Sequence, residues 1–161
     1  MRNKASGKTM EFTIRRADPG DLGECVAIFN DWIEETNWMP RIHAHEDVME
    51  HYRNTVFAKQ RVFVADRANE IPAMLCLSDE AYITALYVKS KYRSCGLGKA
   101  LLNTAKKQFP GGLHLWTFKA NTEAQKFYRR EGFQTMRETD GDNEENLPDI
   151  LFHWRPAGEA K

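Results

Sequence analysis

The 161-residue chain has the length of one domain, long enough to bury about two-thirds of its unfolded surface. Its 23 Lys and Arg balance its 23 Asp and Glu, and a net charge of zero argues against bulk binding to nucleic acid or anionic membrane. No apolar run approaches the roughly 18 residues that a membrane span needs, and no signal-peptide pattern opens the chain. Cys25, Cys76 and Cys95 form no metal-type pair and leave an odd thiol, which points to a reducing cytoplasm. The histidines show no ligand spacing with carboxylates or cysteines, so no metal is expected.

Residues 1–10 are polar and non-periodic and read as a disordered leader, with Met10 an alternative start to Met1. Residues 11–155 show no repeat, linker or composition break and form one expected domain, with 156–161 as a tail. Residues 11–16 (EFTIRR) alternate like an outer strand. Asp18-Pro19 starts a helix, with Asp18 as cap and the proline in the first turn. Leu22, Cys25, Val26, Phe29 and Ile33 form its apolar stripe, which fades near Asn37. An irregular loop over 36–45 leads to a second helix over 46–58, with Val48, Met49, Tyr52 and Val56 facing inward. Strands at 61–65, 71–77 and 81–88 follow at hairpin spacing and predict an antiparallel meander.

The most informative stretch is 81–107, a strand, a basic glycine-containing turn and a helix. Residues 81–88 are nearly all apolar or β-branched, so both faces of that strand are expected to be covered. Lys89, Lys91 and Arg93 crowd the turn, Gly96 and Gly98 open the helix, and Leu97, Leu101, Ala105 and Phe109 recur at helical spacing. A helix start leaves unpaired N–H groups and positive partial charge, glycines let a large anion approach, and the basic side chains raise the local potential. The stretch reads as a pyrophosphate cradle. A P-loop would need Gly at 93 and Ser or Thr at 100, where Arg93 and Ala100 stand. The dinucleotide fingerprint needs glycine where Leu101 stands.

Beyond the cradle, a strand over 113–118 returns after the helix and implies a parallel, right-handed crossover beside 81–88. A helix over 121–130 ends at Gly132, and 133–139 with 150–154 make a last hairpin around an acidic loop. Asn121 and Tyr128 stand two helical turns apart on one face. Read singly, Asn121 is either a helix cap or a group aimed at a ligand, and Tyr128 is either a core aromatic or a functional hydroxyl.

Arg93-Ser94-Cys95-Gly96-Leu97-Gly98, followed by Phe127-Tyr128 and Gly132-Phe133, resembles the GNAT N-acetyltransferase superfamily, as does the order of elements. The resemblance implies an α/β fold whose mostly antiparallel sheet splays into a V between 81–88 and 113–118, with about four helices. It implies acetyl-CoA as co-substrate, its pantetheine pairing with Leu86, Tyr87 and Val88. Its pyrophosphate would lie on Arg93, Ser94, Cys95, Gly96, Leu97, Gly98 and Lys99. By the same resemblance Asn121 meets the pantetheine arm, Tyr128 protonates the leaving thiolate, and a backbone N–H near Val88 stabilises the oxyanion. Relatives often carry Gly after the loop arginine and Pro before the loop, where this chain has Ser94 and Ser90; neither change removes a group the chemistry needs.

The reaction this implies is direct acetyl transfer to the primary amine of a small molecule, with a protein lysine or N-terminus as the alternative acceptor. A non-catalytic acyl-CoA sensor is the third reading, disfavoured because a pure binder has no use for Tyr128. A homodimer is compatible with the resemblance. The acceptor is expected between the 32–45 loop (Trp32, Trp38, Met39) and the 134–150 hairpin, whose Asp140, Asp142, Glu144 and Glu145 suit a cationic amine. No carboxylate carries a signal that marks it as general base.

Overall fold

The computed structural model describes residues 11–157; the expected leader, and residues 158–161 of the expected tail, lie outside that range. Seven strands form one sheet in the order β1-β2-β3-β4-β5-β7-β6. β1 (Thr13–Arg16), β2 (Arg61–Arg67), β3 (Glu70–Leu77) and β4 (Tyr82–Val88) make the antiparallel part. β5 (Leu113–Phe118) runs parallel to β4, and β7 (Asp149–Trp154) inserts between β5 and β6 (Gln134–Thr139). The mixed sheet, its order of elements and its four main helices agree with the expected fold.

Alternation along the strands divides the core into two layers. Val62, Val64, Met74 and Cys76 face α1 (Leu22–Glu35) and α2, which spans His45–His51 and continues through Tyr52–Val56 to Phe57–Lys59. Phe63, Ala65, Leu75 and Leu77 face the other way, onto α3 (Leu97–Gln108) and α4 (Thr122–Arg130). Leu97, Leu101, Leu102 and Ala105 give α3 its buried stripe, at the i, i+4, i+8 spacing that a sheet-facing helix needs.

The structure corrects the reading of β4 as a strand covered on both faces. Thr84 is exposed, and Leu86, Tyr87 and Val88 are only half-buried. The cause is the parting of the sheet. β4 pairs with β5 only at Tyr82–His114 and Ile83–Leu115, so beyond Ile83 the strands diverge and leave the edge of β4 uncovered. The V expected between these strands is present, and it opens at a defined pair.

The start of α1 is more elaborate than a single cap. Asp18 accepts from Gly20 N–H at 2.9 Å while Asp21 accepts from Asp18 N–H at 2.8 Å, a reciprocal capping box over the short 3-10 turn Pro19–Asp21. Arg15 joins the box to the sheet, donating to Asp21 at 2.8 and 3.1 Å and to Asp66 at 2.9 Å. These contacts, led by the Arg15 hydrogen bond, hold the Asp21 carboxyl below its ordinary value of 3.8. A depressed folded pKa gives stability that is whole above the unfolded value and lost as pH falls through the folded one. Asp21→Asn is expected to cost about 2 kcal/mol at pH 7, the scale of a charge-assisted bond lost from a buried site. Denaturant titrations at pH 7 and below pH 4 check this: the gap between the proteins narrows in acid.

Candidate active site

Two cavities meet where β4 leaves β5. The larger, a groove of about 900 Å³, runs from the edge of β4 (Leu86, Tyr87, Val88) past the start of α3 to α4. The smaller, about 420 Å³, lies between α1, α2, β4 and the acidic loop. Tyr87 lines both, and no other residue does. The groove takes in the cradle and the Asn121–Tyr128 face, and it shares Tyr87 of β4 with the pocket.

The cradle is built by backbone conformation. Ser94 and Gly96 take positive φ (65° and 86°), which turn the chain sharply into α3. No side chain caps α3, and its first internal bond runs from Ala100 N–H to Gly96 O, so the N–H groups of Leu97, Gly98 and Lys99 stay available to a ligand. A Cβ at Gly98 would point across the groove toward Phe127 at 3.6 Å and Val88 at 4.0 Å, so the missing side chain keeps that space for a ligand. The arrangement fits a pyrophosphate group.

The source of positive charge differs from the sequence reading. Lys89 and Lys91 both turn to Glu70, each at 3.5 Å, and Glu70 also accepts from the Tyr92 hydroxyl at 2.5 Å. That hydrogen bond, ahead of the two lysines, holds the Glu70 carboxyl below its ordinary range. Tyr92 thereby anchors the turn before the cradle, and the cations that line the groove are Arg93, Lys99 and Arg130, with Arg93 4.0 Å from Glu35 and Arg130 3.9 Å from Glu131. Arg93 Nε donates to Val88 O at 3.3 Å, which sets the guanidinium beside the end of β4.

Of the residues singled out in the sequence, Leu86, Tyr87, Val88, Arg93, Ser94, Gly96, Leu97, Gly98, Lys99, Asn121 and Tyr128 line the groove; Cys95 does not. Cys95 is half-buried beside the turn and presents no side chain to it. Asn121 caps α4 through Oδ1, which accepts from Ala124 N–H at 3.1 Å, and it lines the groove as well, so the two sequence alternatives coexist.

Tyr128 is 7% exposed, its ring set edge-on to Phe127 and Phe133. Its hydroxyl makes no hydrogen bond among the described residues and is open to the groove, where a ligand can meet it. Burial, with a contribution from nearby Tyr87, raises its pKa above the ordinary phenol value, and the group stays a proton donor at neutral pH.

The loop residues singled out for the acceptor divide between the cavities. Met39, Glu144 and Glu145 line the pocket. Trp32 and Trp38 line the groove instead, Trp32 against Tyr87 at 5.1 Å and Trp38 against Phe118 at 5.8 Å. Asp142 lines a separate shallow cleft with Trp116 and Phe118, and Asp140 lines none of the three cavities. Tyr52, read in the sequence only as an inward-facing helix residue, also lines the pocket, as do Asp47, His51 and Thr84, which carried no sequence signal. His43 Nε2 lies 3.1 Å from Glu144 Oε1 and joins the two loops over the pocket, a contact spanning 101 residues that no local pattern reveals. Among the described residues no group of three or more His, Cys, Asp or Glu is arranged to hold a metal ion, and no helix is long and apolar enough to cross a membrane.

Residues 58–135 match the family model described as the acetyltransferase (GNAT) domain. Over 144 residues the chain is 26% identical to the peptidyl-lysine N-acetyltransferase YiaC of Escherichia coli (strain K12), covering 88% of this chain and 95% of that protein. In fold it is similar to apo YjaB from Escherichia coli (TM-score 0.73, 22% identity, 90% of this chain and 98% of that one). It is similar also to yncA from Salmonella typhimurium, solved with acetyl-CoA (TM-score 0.71, 17% identity, 94% and 99%). Residues 58–135 carry a GNAT acetyltransferase domain, and the chain is an acetyl-CoA-dependent N-acetyltransferase of that type. Its acceptor is an amine.

Proposed function

We propose that the chain acetylates the primary amine of a small cationic molecule held in the pocket beside Tyr87. The observation that carries this reading is the meeting of pocket and groove at that one residue. A donor laid along β4 and an acceptor in the pocket then face each other across it. A volume of about 420 Å³ is within the range of small-molecule sites, and carboxylates of Asp47, Glu144 and Glu145 stand in its wall. His43 engages Glu144, which leaves Glu145 the more available for an ammonium.

In this reading Arg93, Lys99 and the N–H groups from Ser94 to Lys99 hold the pyrophosphate, with the turn at Cys95 contributing backbone only. The uncovered edge at Leu86–Val88 pairs with the pantetheine amides as an added strand would, and Asn121 meets the same arm. Acetyl-CoA supplies an activated acetyl thioester. Tyr128 gives its proton to the leaving thiolate, for which its unpaired, protonated hydroxyl is suited. Glu145, which stands in the pocket wall with Tyr87, offers the ammonium proton a nearby carboxylate. The thiols of Cys25 and Cys76 are buried and pushed upward by that burial, so neither is a nucleophile here.

A second reading, with a peptidyl lysine as acceptor, is favoured by the similarity to YiaC, whose name carries that substrate. Free-thiol release from acetyl-CoA is the test, run across polyamines, amino acid amides, aminoglycosides and lysine-containing peptides. The first reading expects at least one small amine to exceed every peptide in kcat/KM. Turnover confined to peptides would replace it with the second, and cofactor binding without turnover would support an acyl-CoA sensor.

A further inference from the structure

The floor of the pocket holds a polar group that the reaction as described leaves unused. Tyr52 is 5% exposed and lies among Phe29, Val48, Val56 and Cys76, yet its hydroxyl makes no hydrogen bond among the described residues. The ring is buried while the hydroxyl is open to the cavity that the residue lines, so a partner can reach it there with a ligand. The ring itself is firmly placed, 5.9 Å from Phe29 and edge-on to His51 at 6.1 Å.

The helix is distorted at this residue. α2 passes through a π-helical turn at Tyr52–Val56, closed by the bond from Phe57 N–H to Tyr52 O. The wider turn inserts a residue into the regular repeat, and Tyr52 and Val56 at its two ends are both buried and both line the pocket. Such turns are rare and occur mostly where a helix must re-aim a side chain at a functional site.

We infer that the Tyr52 hydroxyl is a specificity-determining group that donates a hydrogen bond to a neutral oxygen, carbonyl or hydroxyl, a few bonds from the reacting amine. This rests on the reading of the pocket as the acceptor site. Two features select the chemistry. The phenol is held protonated by its burial, so it offers a donor. Its surroundings at the floor are apolar, which disfavours a charged group there, whereas the carboxylates Asp47, Glu144 and Glu145 serve the cationic part of the acceptor. The acceptor class is therefore an amino alcohol or an amino amide rather than a plain alkylamine. Tyr87, which lines both cavities, stands between Tyr52 in the pocket and Tyr128 in the groove.

The test compares isosteric amine pairs, ethanolamine with propylamine and glycinamide with isobutylamine, on the full chain and on Tyr52→Phe. The wild type prefers the polar member, and Tyr52→Phe reduces that preference roughly tenfold, through KM of the amine, as expected for one lost hydrogen bond. An unchanged preference, or an equal loss for both members of each pair, overturns the inference. Melting temperature without acceptor is the second arm. A hydroxyl waiting for a ligand contributes nothing to the free fold, so Tyr52→Phe melts at the wild-type temperature or above. A fall of several degrees shows a structural role and also overturns it. If no amine is acetylated while acetyl-CoA still raises the melting temperature, the acceptor reading of the pocket fails separately, and the melting arm still decides the role of Tyr52.

Discussion

Tyr128→Phe lowers kcat about a hundredfold, the scale of a lost general acid, while KM for acetyl-CoA stays near its original value. The ring packs against Phe127, Phe133 and Phe152, and phenylalanine keeps those contacts, so the loss belongs to the hydroxyl alone. That hydroxyl has no partner among the described residues, hence its removal breaks no internal bond and leaves the melting temperature unchanged or raised. The raised pKa also fixes the pH dependence. A phenol whose value lies above 10.0 keeps its proton as pH rises to that point, so the wild type loses no acid function there. Steady-state rates from pH 6 to 10 with saturating amine check both statements. Full turnover in Tyr128→Phe would remove this residue from the chemistry.

Gly98→Val weakens acetyl-CoA binding about a hundredfold, with a small effect on folding. Gly98 sits in the first turn of α3, and a Cβ there meets Phe127 and Val88 at ordinary contact distance, so the protein itself accommodates a side chain. The branch of valine instead fills the space between the free N–H groups and the groove. Losing two charge-assisted hydrogen bonds of about 1.5 kcal/mol each gives that factor. Gly96→Ala fails for a different reason, since φ of 86° strains any L side chain although nothing stands within 4 Å. Calorimetric titration with acetyl-CoA and a melting curve separate the two effects, for Gly98→Val loses affinity at an almost unchanged melting temperature.

The residues of the groove were legible because their signals are local. The cradle is one contiguous turn with a glycine where the backbone needs positive φ, and Asn121 and Tyr128 share one helix face. The pocket joins residues from distant parts of the chain. Tyr52 repeats with Val48 and Val56 at a spacing that reads as plain α-helix, and the π-helical slip leaves no mark on that pattern. Glu144 reaches His43 only because β7 inserts between β5 and β6 and carries the acidic loop back over α2. Lys89 and Lys91 misled for a related reason: their partner, Glu70, lies on β3, and only the antiparallel pairing of β3 with β4 brings it to the turn. β4 read as fully covered because its composition suits a central strand, and the strand is central; the divergence from β5 uncovers it.

Whether donor and acceptor meet across Tyr87 is decided by a crystal structure of the chain with acetyl-CoA and an unreactive analogue of a turned-over amine. The pyrophosphate is expected on the N–H groups of residues 94–99, the thioester sulfur within hydrogen-bonding reach of the Tyr128 hydroxyl, and the analogue in the pocket with Glu145. A thioester directed away from Tyr128, or an acceptor bound outside the pocket lined by Tyr52 and Tyr87, would contradict that arrangement.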